Sequence, residues 1–335
     1  MSDPKITTPI PLLGSSPHIV SPYNTRKLMA CVLVSLVPVT AAGIILYGLP
    51  ALLTILVSVI AAELAEFLFR IVTRQVPRNN DFSAAITGLL LALILPPGTP
   101  LWMTALGAFF AIIVAKEFFG GLGANVFNPA LVGRAFLLMS FPAAITTWAN
   151  PAPLSRSFSS FTVDAATSAT LMNSIKNGTS LDTFGSSYGE MLKTIFLGNH
   201  SGSIGESSIL AVLIGFVILL AARVIDWRAP VSMLASVFIL SFLLGRDPII
   251  AVLGGGVAFG AVFMATDYVT TPLNGKGKII FGCGAGIVTV LIRQWGAYPE
   301  GVTYGILIMN ALTPYLNKFL PKKYGYVKPA KKEAA

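Results

Sequence analysis

Residues 28–73 read LMACVLVSLVPVTAAGIILYGLPALLTILVSVIAAELAEFLFRIVT, and this stretch decides the fold. No charged residue occurs between Leu28 and Ala62, and the Gly48-Leu49-Pro50 joint divides the run into segments 28–47 and 51–73. A helix of about 20 apolar residues crosses the ~30 Å hydrocarbon layer of a bilayer. Two such segments in succession predict a pair of membrane-crossing helices.

The pattern continues outward along the chain. Of 335 residues, 54% are hydrophobic and 11% charged, against roughly 25% charged in a soluble domain. A soluble protein this apolar would expose large sticky patches. Further apolar segments fall at about 83–96, 101–116, 127–147, 207–225, 230–245, 248–266, 278–294 and 301–318. Transmembrane barrels show weak alternating segments instead. The expected fold is therefore an all-α polytopic membrane protein of about ten transmembrane helices, with the lipid bilayer as its medium.

The net charge of +9 does not point to nucleic acid, because the basic residues sit between apolar spans, where a bilayer protein keeps them. Cys31 and Cys283 lie in separate apolar segments and read as packing residues. They supply neither a disulfide framework nor a metal cluster. His18 and His200 read as loop histidines.

Counting charge in alternate loops orients the chain. One set holds Lys5, Arg26 and Lys27, then Arg74 and Arg78, Lys116, Arg223 and Arg228, Lys276 and Lys278, and the lysine-rich tail. The other set is almost uncharged around Pro50 and Pro97. The positive-inside rule then puts both termini in the cytoplasm. The expected organisation is a cytoplasmic segment 1–27, a first membrane half 28–147, an extracytoplasmic loop 148–206, a second half 207–318 and a basic cytoplasmic tail 319–335. The loop is rich in Ser, Thr, Asn and Gly; its length is that of a functional element.

The chain also resembles itself. Pro96-Pro97-Gly98-Thr99-Pro100, Lys116-Glu117 and Gly133-Arg134 pair with Gly245-Arg246-Asp247-Pro248, Thr266-Asp267 and Gly277-Lys278, some 143–150 residues later by position. Five spans per half is an odd number, so two inverted five-helix repeats are expected, as in transporter-like cores.

Within the outer loop lies Asp164-Ala165-Ala166-Thr167-Ser168-Ala169-Thr170. This resembles the acceptor sequence of flavin transferases, Asp-x-x-Ser/Thr-Gly-Ala-Thr, with Ser168 at the position where Gly is usual. The resemblance implies FMN joined by a phosphoester to the Thr170 hydroxyl, with Asp164, Thr167, Ser168 and Ala169 forming the recognition signal. Gly120-Gly121-Leu122-Gly123-Ala124-Asn125-Val126-Phe127-Asn128-Pro129-Ala130 and Ala265-Thr266-Asp267-Tyr268-Val269-Thr270-Thr271-Pro272 are similar to two fingerprints of one family. That family unites the D-type membrane component of Rnf complexes with the B-type component of the sodium-translocating NADH:quinone reductase. Ser16-Pro17-His18-Ile19 and Thr87-Gly88-Leu89-Leu90-Leu91-Ala92-Leu93 add to the likeness, which covers nearly the whole chain in order.

That resemblance implies a membrane electron-relay subunit of an Rnf-type respiratory complex in the cell (inner) membrane, incomplete as an enzyme on its own. The complex would couple electron transfer between ferredoxin and NAD⁺ to Na⁺ or H⁺ transport. Implied partners are the other membrane and peripheral subunits, including an outer-face flavin subunit and iron–sulfur subunits, and a flavin transferase for maturation. A noncovalent riboflavin is a further implied cofactor, with Asn125, Asn128 and Thr271 suited to hydrogen-bonding its ring edge. The alternatives are a urea- or ammonium-channel-like transporter, which has no need of an acceptor motif, or the homologous subunit of the quinone reductase.

Ionisable groups at membrane depth are costly and face protein interior or water. Glu63, Glu66 and Arg70 fall on one helical face, with Glu66 and Arg70 in salt-bridge register. With Glu117 and Asp267, at comparable positions in the two halves, Glu63 and Glu66 are candidates for an ion path. The bland alternatives are interface charges and helix caps.

Thr170→Ala is expected to abolish the flavin fluorescence that the wild-type band retains on a denaturing gel after coexpression with a flavin transferase. A variant band that still fluoresces moves the attachment, with Thr167 the next hydroxyl.

Overall fold

The computed structural model describes residues 24–75, 81–151, 188–296 and 301–319, and all regular structure among them is helical. The first half comprises α1 (Thr25–Tyr47), α2 (Leu49–Val72), α3 (Ser83–Ile94), α4 (Leu101–Ile113), α5 (Pro129–Ser140) and the short α6 (Pro142–Ile145). After the long loop come α7 (Tyr188–Leu197), α8 (Ile209–Ala221), α9 (Arg228–Leu243), α10 (Pro248–Leu253), α11 (Val257–Phe259), α12 (Gly275–Trp295) and α13 (Val302–Leu316). A π-helical turn, Gly260–Met264, continues α11.

Four stretches are long and apolar enough to cross a membrane: Thr25–Tyr47, Leu49–Val72, Leu101–Phe119 and Gly275–Trp295. Five shorter apolar helices, α3, α5, α8, α9 and α13, accompany them. Among the described residues the molecule is thus all-helical, with the apolar helices of a polytopic membrane protein. Acceptor residues Asp164, Thr167, Ser168, Ala169 and Thr170 lie outside the described residues.

Helix ends follow local chemistry. The Asn128 and Asp247 side chains accept hydrogen bonds from the N–H groups two and three residues on, and each stands before a proline. An N-cap oxygen and a proline in the first turn together start a helix where the backbone N–H groups have no other partner.

Two expected spans are broken. The segment 127–147 becomes α5 and α6, divided at Phe141, because Pro142 cannot continue α5. The segment 248–266 is interrupted at Gly254-Gly255-Gly256, where Gly255 and Gly256 take positive φ (63° and 71°).

Helix packing uses small residues. α12 lies along α9 with Gly282 and Gly286 against the backbone of Ala229 and Met233, and a Cβ on Gly286 would stand 2.7 Å from the Met233 carbonyl oxygen. Small residues one turn apart let membrane helices approach closely enough for dispersion to hold them. In the first half α2 packs on α3 and α4, and α4 on α5; in the second, α9 packs on α10 and α12, and α12 on α13.

These neighbours match α2, α4 and α5 with α9, α12 and α13. The first residues are Leu49 and Arg228, Leu101 and Gly275, and Pro129 and Val302, so the spacing is 173–179 residues (228 less 49; 302 less 129). The landmark pairing at 143–150 joined Lys116-Glu117 to Thr266-Asp267, so helix packing and turn landmarks give different spacings. Proline and glycine recur at any helix end, whereas packing partners do not.

The match extends to α3 and α11. Phe82 before α3 is left-handed at φ 62°, ψ 6°, and Gly256 before α11 at φ 71°, ψ 7°. Ser83 and Thr87 near the start of α3 line one pocket with Thr266 and Asp267, which follow the π-turn. At the other end, the Leu93 and Leu95 carbonyls of α3 accept from Gly205 and Ile204, and the neighbouring Glu206 lies against Gly256. α3 and α11 therefore run antiparallel.

Gly286→Val is expected to destabilise the chain by about 1–3 kcal/mol, since the overpacked α9–α12 contact cannot relax. The thermal unfolding midpoint in detergent measures it. Gly98→Ala, in open space, is the control and should stay within about 0.5 kcal/mol.

Candidate functional site

Two features at one end of the bundle stand out, a buried ion cluster and the pocket beside it. The cluster joins α2 to the segment after α4. Lys116 Nζ donates to Glu66 Oε2 at 2.6 Å and to Ser83 Oγ at 2.6 Å. Arg70 Nη2 donates to Glu117 Oε1 at 3.2 Å and lies 3.1 Å from Glu66 Oε1. All four charged side chains are at most 4% exposed. Two acids and two bases cancel, so a neutral unit is buried rather than four ions.

The first fingerprint has a physical role here. Gly120, Gly121 and Gly123 all have positive φ (111°, 86° and 96°). At Gly121 a Cβ would stand 3.1 Å from Arg70 Nη2 and 3.3 Å from Glu117 Oε1. The glycines let the backbone close over the ion cluster and bring Asn125 and Asn128 back to the bundle.

The pocket encloses about 80 Å³, smaller than the ~300–1,000 Å³ typical of small-molecule sites. Met29, Val32, Leu90, Leu122, Leu219, Ile225 and Phe263 make apolar walls; Ser83, Thr87, Lys116, Asn125, Asn128, Thr266 and Asp267 are the polar groups. Asn125 Nδ2 donates to the Phe127 carbonyl, leaving its Oδ1 as an acceptor. Asn128 Oδ1 is used in capping α5, leaving its amide N–H groups as donors. Apolar walls around one acceptor and one donor give the pocket the means to hold a small group that carries both a donor and an acceptor.

The structure brings Asn125, Asn128 and Asp267 into this pocket and leaves Thr271 out. The Thr271 hydroxyl donates to the Ala265 carbonyl, and the residue lines a neighbouring cavity with Asp226, Asp267, Tyr268 and Lys278. Asp267 accepts from the Val269 N–H and the Thr270 hydroxyl. Burial holds its carboxyl above the ordinary carboxylate range, against those hydrogen bonds. Glu66 and Glu117 are committed to the ion cluster, while Glu63 is half-buried one turn earlier on α2.

A third charged pair has no signature in the motifs. Arg134 Nη1 on α5 donates to Glu206 Oε1 at 3.2 Å, with both side chains at most 8% exposed. An arginine inside an apolar helix is the available signal, since it demands a partner. Glu206 carries none, because it reads as one more charge in a polar loop.

Comparison with known proteins agrees with the fingerprints. A family model described as the NQR2, RnfD, RnfE family matches residues 12–325. The chain is 42% identical to the D component of the proton-translocating ferredoxin:NAD(+) oxidoreductase complex of Clostridium ljungdahlii, over 97% of this chain and 99% of the relative. It is 40% identical to the D component of the Na(+)-translocating ferredoxin:NAD(+) oxidoreductase complex of Acetobacterium woodii, over 96% and 97%. The D component of an ion-translocating oxidoreductase complex of Escherichia coli is 36% identical over 94% and 99%.

Lys116→Met leaves the cluster with one uncompensated negative charge and is expected to cost about 3–5 kcal/mol. Adding Glu66→Gln restores neutrality around Arg70 and Glu117 and should recover part of that loss. Thermal midpoints of the two variants decide it: equal loss in both would mean the charges are not coupled.

Proposed function

The chain belongs to the NQR2, RnfD, RnfE family, and on that premise we propose that it is the membrane electron-relay subunit of an Rnf-type complex. The complex couples electron transfer between ferredoxin and NAD⁺ to ion translocation. The observation that carries this reading is the full-length likeness to the D components of ferredoxin:NAD(+) oxidoreductase complexes. Its partners are the other subunits of that complex, including an outer-face flavin subunit and iron–sulfur subunits, and a flavin transferase that matures it.

In this reading the chain crosses the cell membrane ten times in two inverted five-helix repeats. The antiparallel α3 and α11, with their matched left-handed starts, support it. Both termini are cytoplasmic, and the loop 148–206 is extracytoplasmic. Thr170 holds FMN through a phosphoester, and a second, noncovalent flavin of riboflavin type lies in the pocket beside α3. Bound flavin supplies the capacity to take and pass electrons, while the protein sets its position and surroundings. Asn125 Oδ1 would accept from the edge of a bound ring and the Asn128 amide would donate to it. The apolar walls exclude water. The ion cluster fixes Lys116 in the pocket wall.

The alternative ion-path role of Glu63, Glu66, Glu117 and Asp267 narrows under this geometry. Asp267 is the group with a face on both cavities, so it is the first choice for ion or proton exchange; Glu66 and Glu117 serve to hold the pocket.

The test uses the intact complex in inverted membrane vesicles. Deleting this chain should abolish ferredoxin-dependent NAD⁺ reduction and the ion uptake coupled to it. The wild-type chain should restore both, and Thr170→Ala neither. Restoration of both by Thr170→Ala sinks the relay. Acid-extractable flavin should also fall in Asn128→Leu, and an unchanged content removes the second flavin from this pocket.

A further inference from the structure

Residues 200–209 have no regular structure before Ile209, yet every one of them is buried. Irregular backbone inside a membrane protein persists only where the protein itself satisfies its polar groups. Here it does so from several sides. Ile204 N–H donates to the Leu95 carbonyl at 3.2 Å and Gly205 N–H to the Leu93 carbonyl at 2.7 Å. These are the carbonyls that a helix C-terminus leaves without intrahelical partners. The Tyr47 hydroxyl lies 3.2 Å from the His200 carbonyl oxygen, 3.3 Å from that of Gly202 and 2.7 Å from Ser207 Oγ.

The side chains complete the attachment. Ser203 Oγ donates to Glu206 Oε2 at 2.9 Å, and Arg134 Nη1 donates to Glu206 Oε1 at 3.2 Å. The Glu206 carboxylate lies against Gly256, at the start of α11, where no other residue would leave room for it. The segment thus touches α1, α3 and α5 of the first half and α11 of the second. Burial also pushes His200 down to about 4, so no charge but the Arg134–Glu206 pair enters with it.

The opposite ends of α3 and α11 are different. There, between Ser83 and Thr87 on one side and Thr266 and Asp267 on the other, lies the open pocket. The same antiparallel pair is therefore filled at one end and open at the other, and the filling is a piece of the chain's own loop.

We propose that residues 200–208 are a plug that seals the outer end of the core between the two halves, with the Arg134–Glu206 pair as its latch. Opposite charges on helix and loop hold the plug while both are buried, and separating them would leave two unpaired ions. Water or an ion crossing the core must displace this segment. The proposal rests on the reading of the chain as a two-half membrane core but does not depend on its flavins.

The experiment uses the purified complex in liposomes with no ferredoxin or NAD⁺, under an imposed membrane potential, with passive Na⁺ and H⁺ uptake as readouts. In Gly205→Ala the new Cβ would stand 2.8 Å from Leu93 Cβ and 3.2 Å from the Leu93 carbonyl oxygen, forcing the backbone off α3. Glu206→Gln keeps the shape and removes the latch charge. Both should raise the passive leak of Na⁺, H⁺ or both several-fold over wild type. A wild-type leak in both variants, with normal subunit content, overturns the plug. Where a variant does not assemble, Ser203→Cys decides. It should resist a membrane-impermeant thiol reagent from both sides of the resting complex, and ready labelling from the outer side overturns the proposal. Flavin fluorescence of the denatured band is read in parallel, so failure of the plug and failure of the flavin reading are separable.

Discussion

Every charge and every free backbone group inside this bundle must find its partner within the chain, since the surrounding hydrocarbon offers none. Glu66, Arg70, Lys116 and Glu117 answer that demand as a neutral group of four. Arg293 answers it for the break between α10 and α11: its Nη1 donates to the Ala251 carbonyl at 2.7 Å, and its Nη2 to those of Gly254 and Gly255 at 3.0 and 2.8 Å. The loop residues Ile204 and Gly205 answer it for the end of α3. In the last two cases a helix too short to cross the membrane, or interrupted within it, is completed by groups from elsewhere in the sequence. Short helices and buried polar contacts are therefore one phenomenon.

This constraint also builds the pocket. The glycines of the first fingerprint allow the chain to fold over Arg70 and Glu117, and the same turn delivers Asn125 and Asn128 to the pocket wall. Lys116 belongs to both, with its ammonium in the ion cluster and its side chain lining the cavity. A substitution in the cluster is thus a substitution in the wall of the site, although no cluster residue need touch a ligand. Relatives of similar likeness carry different ions in their names, proton at 42% identity and Na(+) at 40%. Overall similarity to these relatives therefore does not assign an ion to this chain.

Much was legible in the sequence. The apolar run 28–73 gave α1 and α2 to within a few residues, because length and hydropathy alone decide whether a helix suits a bilayer. Asn128 and Asp247 stood in the sequence as landmarks before prolines, and the structure makes them the caps of the helices that follow. The fingerprints placed the chain in its family, and Glu66 with Arg70 showed its register directly. Other features were opaque for definite reasons. Glu206 sits in a Ser- and Gly-rich stretch that reads as solvated loop, and only Arg134, 72 residues away, makes it a core residue. Thr271 has the hydroxyl that a ring edge would want, yet the Ala265 carbonyl claims it. Turn residues and helix packing give different spacings for the expected repeat, because turn residues mark helix ends without saying which helices are neighbours.

The sequence by itself determined that this is a helical membrane protein of the NQR2, RnfD, RnfE family, since this depends on composition and on motifs a few residues long. Tertiary structure alone decided which charges cancel, which end of α3 and α11 is open and which is filled. Those outcomes depend on groups brought together across as many as 160 residues, as Tyr47 and Ser207 are. No local pattern records such a meeting, because either residue alone satisfies every local rule.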